Sequence, residues 1–236
     1  MVIPPKLEKL LTLFLSASCP GCRRGPPEKG SRLCAWCLAR VHPVPSAGAE
    51  PRRAAFLHRG VMRDMMIRLK YNGERHLAPV LAEMAVGEWD RVPGSGDIVT
   101  AVPSSPSTLR KRGYNQARLI GRAVCGITGS SFADLLDRKP GPSQVGLTAR
   151  ERRDNLRDVF RVVKRIPSGR IWLLDDVTAT GETLSQTRRT LIQAGSGEVV
   201  LLSVNFRETG DGSMIANREG KGMHSREDGS DSQIQV

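Results

Sequence analysis

The stretch IWLLDDVTATGETL, residues 171–184, sets the tightest limit on what this chain can fold into. Ile171, Trp172, Leu173 and Leu174 are bulky and apolar in an unbroken row, so a strand built from them offers neither face to water. Strands of that kind occupy parallel sheets whose two faces are both covered by helices. The run then ends abruptly in two carboxylates, Asp175 and Asp176. Like charges about 4 Å apart repel by about 4 kcal/mol at an effective dielectric near 20. A chain that keeps such a doublet beside a buried strand is expected to bind something with it.

The rest of the chain carries the same alternation. VMRDMMIRLKYNG, LAPVLAEMAVGEW, NQARLIGRAVCGI and LSQTRRTLIQAG space their apolar residues as helices do, the last stopping at Gly195. DIVTAVPSS, VFRVV, IWLL and EVVLLSVNF read as strands. Strands alternating with helices predict an α/β domain, a parallel sheet with helices on both faces. In such sheets ligands bind beyond the carboxyl ends of the strands. The expected arrangement is therefore a strand over residues 171–174, with Asp175 and Asp176 at its carboxyl end. A loop over 177–183 follows, and a helix begins near Thr183. The free amides at the start of that helix form a ready phosphate site. Gly181 allows close approach, and Thr180 and Thr183 add hydroxyls. A carboxylate binds a sugar diol well, at about 1.5–3 kcal/mol for each charge-assisted bond. Carboxylates beside a phosphate cradle thus point to one ligand with both groups, a ribose 5-phosphate. A nucleotide-hydrolase strand ending in Asp-Asp would need a G-x-x-x-x-G-K-[ST] loop upstream, and the sequence has none.

Four of the five cysteines lie in CPGCRRGPPEKGSRLCAWC. Cys19 with Cys22 and Cys34 with Cys37 are two C-x2-C pairs, the spacing that sets four thiolates around a tetrahedral ion, usually Zn2+. Two disulfides are the competing arrangement, but no secretion signal supports an oxidising compartment. Four protein ligands leave no open position, so the metal is expected to be structural. Trp36, inside the second pair, either stacks on a base or packs the module on its neighbour, and packing is the expectation. Cys125 stands alone in a helical pattern, as a small core residue.

The formal net charge is +12. Residues 208–236 hold three basic and six acidic residues, so this tail carries −3 and the body 12 + 3 = +15. A body that basic favours anionic partners: phosphates, nucleotides or nucleic acid. No apolar run approaches the ~20 residues needed to cross a membrane. The N-terminal segment with Leu7, Leu10, Leu11 and Phe14 at helical spacing reads as an amphipathic helix of a cytoplasmic protein. The expected division is a helix and zinc module over 1–41, a Pro/Ala-rich linker over 42–55, the α/β domain over 56–207 and a disordered acidic tail over 208–236. LRKRGYNQ offers a turn at Gly113 and a helix cap at Asn115. RERRDNLR alternates charges in the manner of a salt-bridged surface helix.

LLDDVTATGET resembles the phosphoribosyl pyrophosphate (PRPP) loop of type I phosphoribosyltransferases. The wider sequence is similar to one branch, the ComF family. The likeness is carried by the CPGC/CAWC module and by LKYNGERHLAPVLAEM, VPSSPSTLRKRGYNQARLIG and SQVGLTARERRDNLRDVFRV, in that order over residues 7–207. It implies a type I phosphoribosyltransferase-like sheet with a small four-cysteine zinc module before it. It implies that Asp175 and Asp176 hold the ribose hydroxyls. Val177, Thr178, Ala179, Thr180, Gly181, Glu182 and Thr183 would hold the 5-phosphate, largely through backbone amides. The turn after Val102 and Pro103 would lie near the pyrophosphate, and residues 144–155 would form a mobile hood with Arg150 and Arg153 neutralising the leaving group. Mg2+ would arrive with PRPP, held mainly by substrate oxygens. Two departures stand out. Ala179 replaces a threonine, which removes a hydroxyl but no amide. Pro103, Ser104, Ser105, Pro106 and Ser107 stand where the family commonly shows Pro-Val-Pro followed by Leu-His.

Two functions are implied. One is phosphoribosyl transfer from PRPP to a nitrogen acceptor with loss of pyrophosphate. The other is handling of single-stranded DNA together with other DNA-uptake proteins, using a non-catalytic or regulatory form of the fold. Neither requires insertion into a membrane.

Overall fold

A computed structural model describes residues 18–45, 53–140 and 159–208. In chain order, a four-residue helix α1 (Ala35–Leu38) lies in the cysteine-rich segment, followed by strand β1 (Ala54–Leu57), α2 (Gly60–Tyr71) and α3 (Leu77–Glu88). Then come β2 (Ile98–Ala101), α4 (Pro106–Arg112), α5 (Gln116–Thr128), β3 (Ser131–Phe132), β4 (Leu136–Arg138), β5 (Phe160–Val162), β6 (Ile171–Thr178), α6 (Glu182–Gln193) and β7 (Val199–Phe206).

Five strands form one parallel sheet in the order β1-β7-β6-β2-β3, as the doubly apolar strands require, while β4 and β5 pair antiparallel beside it. Alternate residues of β6 serve opposite cores. Trp172 and Leu174 join Leu202, Val204 and the buried faces of α2, α3 and α5. Ile171 and Leu173 join Leu201, Val199, the buried side of α6 and the β4–β5 hairpin. Trp172 is almost fully buried in the first core.

The structure differs from the sequence reading in several places. Residues 54 and 55, assigned to a linker, belong to edge strand β1, all of whose residues are buried. Four small or apolar residues after two arginines gave too short a signal. Strand β6 runs on through Asp175, Asp176 and Val177 to Thr178, because β7 continues to pair with it as far as Phe206. The loop therefore shrinks to residues 179–181, and α6 begins at Glu182. Helix α4 was not anticipated. Ser105 caps it by accepting from the Thr108 amide (3.1 Å), with Pro106 in the first turn. The two expected signals in LRKRGYNQ are met: Gly113 ends α4 at φ 79°, a left-handed conformation, and Asn115 accepts from the Arg118 amide at 3.1 Å. The N-terminal amphipathic helix, the hood with Arg150 and Arg153, and the tail from residue 209 lie outside the described residues.

The cysteine module is fastened to the body by a charged clasp at the end of α2. Arg68 donates to the carbonyls of Pro20 (2.6 Å) and Gly21 (2.8 Å) and binds Glu74 through two of its nitrogens. Arg23 of the module reaches the same carboxylate. Gly21 must lack a side chain, since a Cβ there would stand 2.7 Å from both Cys37 Sγ and Val61. The Arg68 hydrogen bonds, seconded by Arg23, hold the Glu74 carboxyl down at about 2, against the burial that would raise it. A depressed carboxyl stabilises the fold above its ordinary pKa and loses that contribution as pH falls toward the folded value. Glu74→Gln is expected to cost about 2 kcal/mol at pH 7. The gap from wild type should close between pH 4.5 and about 2, as read by urea unfolding across that range; a gap independent of pH would contradict this account of the clasp.

Candidate functional site

Strand β2 pairs with β6 up to Ala101 opposite Leu174, and the Val102 amide closes that side on the Leu174 carbonyl at 2.9 Å. On the other side β7 continues opposite Asp175, Val177 and Thr178. Beyond Leu174, β6 thus has a strand along one edge and an opening along the other. Successive connections also depart in opposite directions here, from β2 outward to β3 and from β6 outward to β7. That is the switch point at which open α/β sheets take ligands. Two turns border the opening: the one after Val102, and residues 179–181 after β6.

The two carboxylates sit in this place and find different neighbours. Asp176, only 4% exposed, points toward α2, where its Oδ2 lies 2.5 Å from Lys70 Nζ. Asp175 keeps part of its surface open, and its Oδ1 accepts from the Asp176 amide at 2.9 Å. Burial pushes the Asp175 carboxyl well above the ordinary carboxylate range, and the Asp176 charge adds to the rise, against the pull of the Asp176 amide and Lys70. On the hairpin side, Asp175 is the charge that acts on Arg138, whose own pKa burial lowers. Lys70 is thus the cation that steadies the doublet, and Arg138 feels the Asp175 charge from the other side of the sheet.

The turn after β6 has unclaimed donors. Gly181 stands at φ 69° and starts α6. Among the described residues, no carbonyl takes the amides of Ala179, Thr180, Gly181 or Thr183. The Glu182 amide has only a long contact of 3.5 Å to Thr180 Oγ1. These amides and the positive end of a 12-residue helix converge beside Asp175. Val177 and Thr178, assigned to this loop, are strand residues instead, and the Thr178 carbonyl already accepts from the Arg207 amide. Across the opening, the segment after Pro103 is a helix cap: the Ser105 hydroxyl bonds to those of Ser107 (2.9 Å) and Thr108 (2.8 Å). Asn115 holds the turn by donating to the Val102 carbonyl at 2.9 Å.

Lys70 and Arg138 were not singled out from the sequence, though each leaves a trace there. Lys70 follows Met66 by four residues on the buried stripe of α2, and Arg138 follows buried Leu136 by two on β4, so each cation stands where an apolar residue is expected. Near Lys70, His58 is held down at about 4, first by burial and then by the charges of Arg207, Lys70 and Arg63. Its Nδ1 lies 3.1 Å from Nδ2 of fully buried Asn205, which also donates to the Met62 carbonyl.

The thiols of Cys19, Cys22, Cys34 and Cys37 all lie within 4.8 Å of one another, and none is in a disulfide. Cys22 Sγ and Cys34 Sγ are 3.6 Å apart, near the ~3.8 Å edge of a tetrahedron with Zn–S bonds of about 2.3 Å. The Cys34 amide donates to Cys19 Sγ at 3.3 Å, as suits a thiolate. The donor set fits a closed tetrahedral metal site. Trp36, expected to pack this module on its neighbour, is instead 54% exposed and lies under the Arg40 guanidinium at 3.8 Å. The packing is done by Cys19, Leu33 and Cys37, which are fully buried in the core with α2, so the indole is left outside.

The chain is similar to curated competence and DNA-utilization proteins. Competence protein ComFC of Streptococcus pneumoniae is 26% identical over 189 residues, 79% of this chain and 80% of that one. The resemblance to the ComF family holds. DNA utilization protein YhgH of Escherichia coli O157:H7 is 26% identical over 77% of this chain and 80% of its own. Competence protein F of Haemophilus influenzae is 33% identical over 94 residues, 38% of this chain. No family model matches. Similar solved structures include an allosteric regulatory enzyme of purine biosynthesis (23% identity, 55% of this chain and 24% of that one, TM-score 0.34). Another is an adenine phosphoribosyltransferase of Thermoanaerobacter pseudethanolicus (11% identity, 74% and 98%, TM-score 0.36). Overlaps that loose leave the fold description to the sheet itself. No described helix is long and apolar enough to cross a membrane.

An acid held above its ordinary pKa opposes folding once it ionises. That penalty is absent at low pH and grows as pH rises from the ordinary carboxylate value toward the folded one. Asp175→Asn is expected to raise the unfolding midpoint of the ligand-free protein, by on the order of 1 kcal/mol. The advantage over wild type should widen from pH 5 to pH 8 in thermal scans. An advantage that shrinks over that interval would contradict the burial of this carboxyl.

Proposed function

We propose that the protein binds a 5-phosphoribosyl ligand, PRPP foremost, in the opening between β2 and β6, and transfers the phosphoribosyl group to a nitrogen acceptor with loss of pyrophosphate. The observation that carries this reading is the set of unclaimed amides at residues 179–181 and 183 beside the Asp175/Asp176 doublet. A phosphoryl group sits on the amides, and the vicinal hydroxyls of the attached sugar donate to the carboxylates. Val177 and Thr178 align the turn from within the strand, and the exposed Glu182 opens α6. Ala179 changes nothing essential here, since the amides do the holding.

The chemistry asks for no protein nucleophile. As the bond from C1 to pyrophosphate breaks, positive charge grows on the ring, and the acceptor nitrogen attacks from the opposite side. The protein's part is position, charge and exclusion of water. Arg150 and Arg153, outside the described residues, would neutralise the departing pyrophosphate. Mg2+ enters as part of the substrate complex, and Zn2+ in the four-cysteine module is structural. The same proposal divides the chain into a zinc module, a connecting segment and a phosphoribosyltransferase-like domain working in the cytoplasm.

PRPP with Mg2+ is expected to raise the melting temperature, by the equivalent of about 2.7 kcal/mol at a hundred times Kd. Asp175→Asn combined with Asp176→Asn should abolish the rise. A wild-type protein with no shift would defeat the ribose-phosphate reading.

A second reading has its own observation. Helix α4 buries none of its residues and ends in Arg110, Lys111 and Arg112. The Arg112 guanidinium lies 5.3 Å from the ring centroid of Tyr71, whose 71% exposure makes it an open aromatic platform. Cations flanking an exposed ring suit single-stranded nucleic acid. Relatives named for competence and DNA utilization point the same way. Binding to an oligonucleotide should then fall linearly with log salt, and Tyr71→Ala should weaken it by about 1–3 kcal/mol. An absence of binding at low salt in a fluorescence titration would remove this reading.

A further inference from the structure

The four-cysteine cluster draws on a residue far from its own motif. Cys19 and Cys37 are fully buried, while Cys22 and Cys34 keep part of their surface open. A buried thiolate has no water to donate to it, so its charge must be met by a metal and by donors of the chain. For Cys19 those donors are backbone amides. The Cys34 amide reaches its Sγ at 3.3 Å, and the amides of Gly21 and Cys22 support the same sulfur from within the first C-x2-C turn.

These last two amides belong to the peptide groups whose carbonyls Arg68 takes. The Gly21 N–H shares a peptide with the Pro20 carbonyl, and the Cys22 N–H shares one with the Gly21 carbonyl. In a trans peptide the N–H and the C=O point opposite ways, and no described peptide is cis. Nη1 of Arg68 donates to both carbonyls, at 2.6 Å and 2.8 Å. Each peptide thus has the guanidinium at one end and the Cys19 sulfur at the other. A cation on the carbonyl polarises the peptide and strengthens its N–H as a donor. The opposite edge of the guanidinium, Nε and Nη2, is fixed on Glu74. The Arg68 and Glu74 side chains are only 14% and 12% exposed, so solvent screens this relay little.

We propose that Arg68 is a positioning residue of the metal centre: through the Pro20–Gly21 and Gly21–Cys22 peptides it aims and strengthens two amides at the Cys19 thiolate, so that helix α2 sets how tightly the module holds a divalent ion such as Zn2+. The inference stands apart from the ribose-phosphate reading. Four thiolates on a divalent ion leave an excess of negative charge, which the relayed cation offsets, and outer partners of this kind orient the ligands and tune their basicity. Arg32 is the comparison within the molecule. It also ties the module to the body, by an ion pair with Glu83 at 2.6 Å, but that pair lies exposed at the surface.

The test is metal binding by the full chain, read in competition with a chromophoric chelator. Arg68→Gln is expected to weaken Zn2+ binding about ten- to a hundredfold, and Arg32→Gln by no more than about twofold. Co2+ in the same site gives a readout that tethering alone does not move. Hydrogen bonds lower the energy of the thiolate lone pairs, so losing them should shift the sulfur-to-cobalt charge-transfer band of Arg68→Gln to longer wavelength while the ligand-field bands of a tetrahedral site remain. Equal losses in the two variants, or a loss of affinity with the band unmoved, would make Arg68 a tether and overturn the proposal, as would full Zn2+ affinity in Arg68→Gln. A wild-type chain that takes up neither ion would remove the metal centre and the proposal with it. Should Arg68→Gln not fold, Arg68→Lys decides. Its single ammonium lacks the planar fork that serves two carbonyls and a carboxylate together, so affinity should fall several-fold and the band should move the same way. An unchanged affinity or an unmoved band in Arg68→Lys would overturn the proposal.

Discussion

Strand β6 outruns its neighbour β2, and the rest of the molecule is arranged around that mismatch. Paired on both edges as far as Leu174, the strand is a buried element whose apolar side chains fill two cores. Paired only with β7 from Asp175 onward, it becomes a rim. The ladder to β7 keeps the rim straight, which fixes the two acids in an alternating geometry. A flexible loop at the same position would let them splay into water, where mutual repulsion would be small and ligand binding would have to order them. The strand instead bears the repulsion in the empty protein.

Compensation for that repulsion comes from opposite directions. Lys70 approaches Asp176 from helix α2, and Arg138 acts on Asp175 from the β4–β5 hairpin. One face of the sheet thus carries the Lys70–Asp176 ion pair and the other the longer-range attraction between Asp175 and Arg138, joined by the bond from the Asp176 amide to Asp175 Oδ1. The arrangement is not optimal for stability, since Asp175 resists ionisation. Sites that hold charge ready for a ligand commonly give up stability in this way.

The parallel sheet could be read from IWLL and EVVLLSVNF because bulky apolar runs leave a strand no wet face. The helices were readable from their spacing, and the caps at Gly113 and Asn115 from single residues whose backbone role is local. The extent of β6 was not readable. Whether Asp175 and Asp176 belong to a strand or a loop depends on how far β7 continues beside them, which is a property of the pair and not of either sequence. The same holds for β1: Ala54 and Ala55 become strand residues because Ser203 and Asn205 present an unpaired edge to that segment. Lys70 and Arg138 escaped for another reason. A cation at a core-facing position is ambiguous in sequence, since it commonly bends out to water, and only the carboxylate across the sheet shows why it stays.

The end of α2 joins the two halves of the chain. Within three consecutive residues it sends Arg68 to the carbonyls of the cysteine module and to Glu74, Leu69 into the core, and Lys70 to Asp176. The Leu69 carbonyl at this turn accepts from the hydroxyl of Tyr114, which stacks under Arg75 and leads into α5. Both cations also favour the helix terminus they occupy. A metal closing the four thiolates would hold Pro20 and Gly21 in place, and these carbonyls fix Arg68. Were the module to loosen, the last turn of α2 would lose its outer anchor while Lys70 still pulled inward on Asp176. The module then has a physical task at the rim of the sheet without touching it: it holds the helix from which the neutralising ammonium is presented.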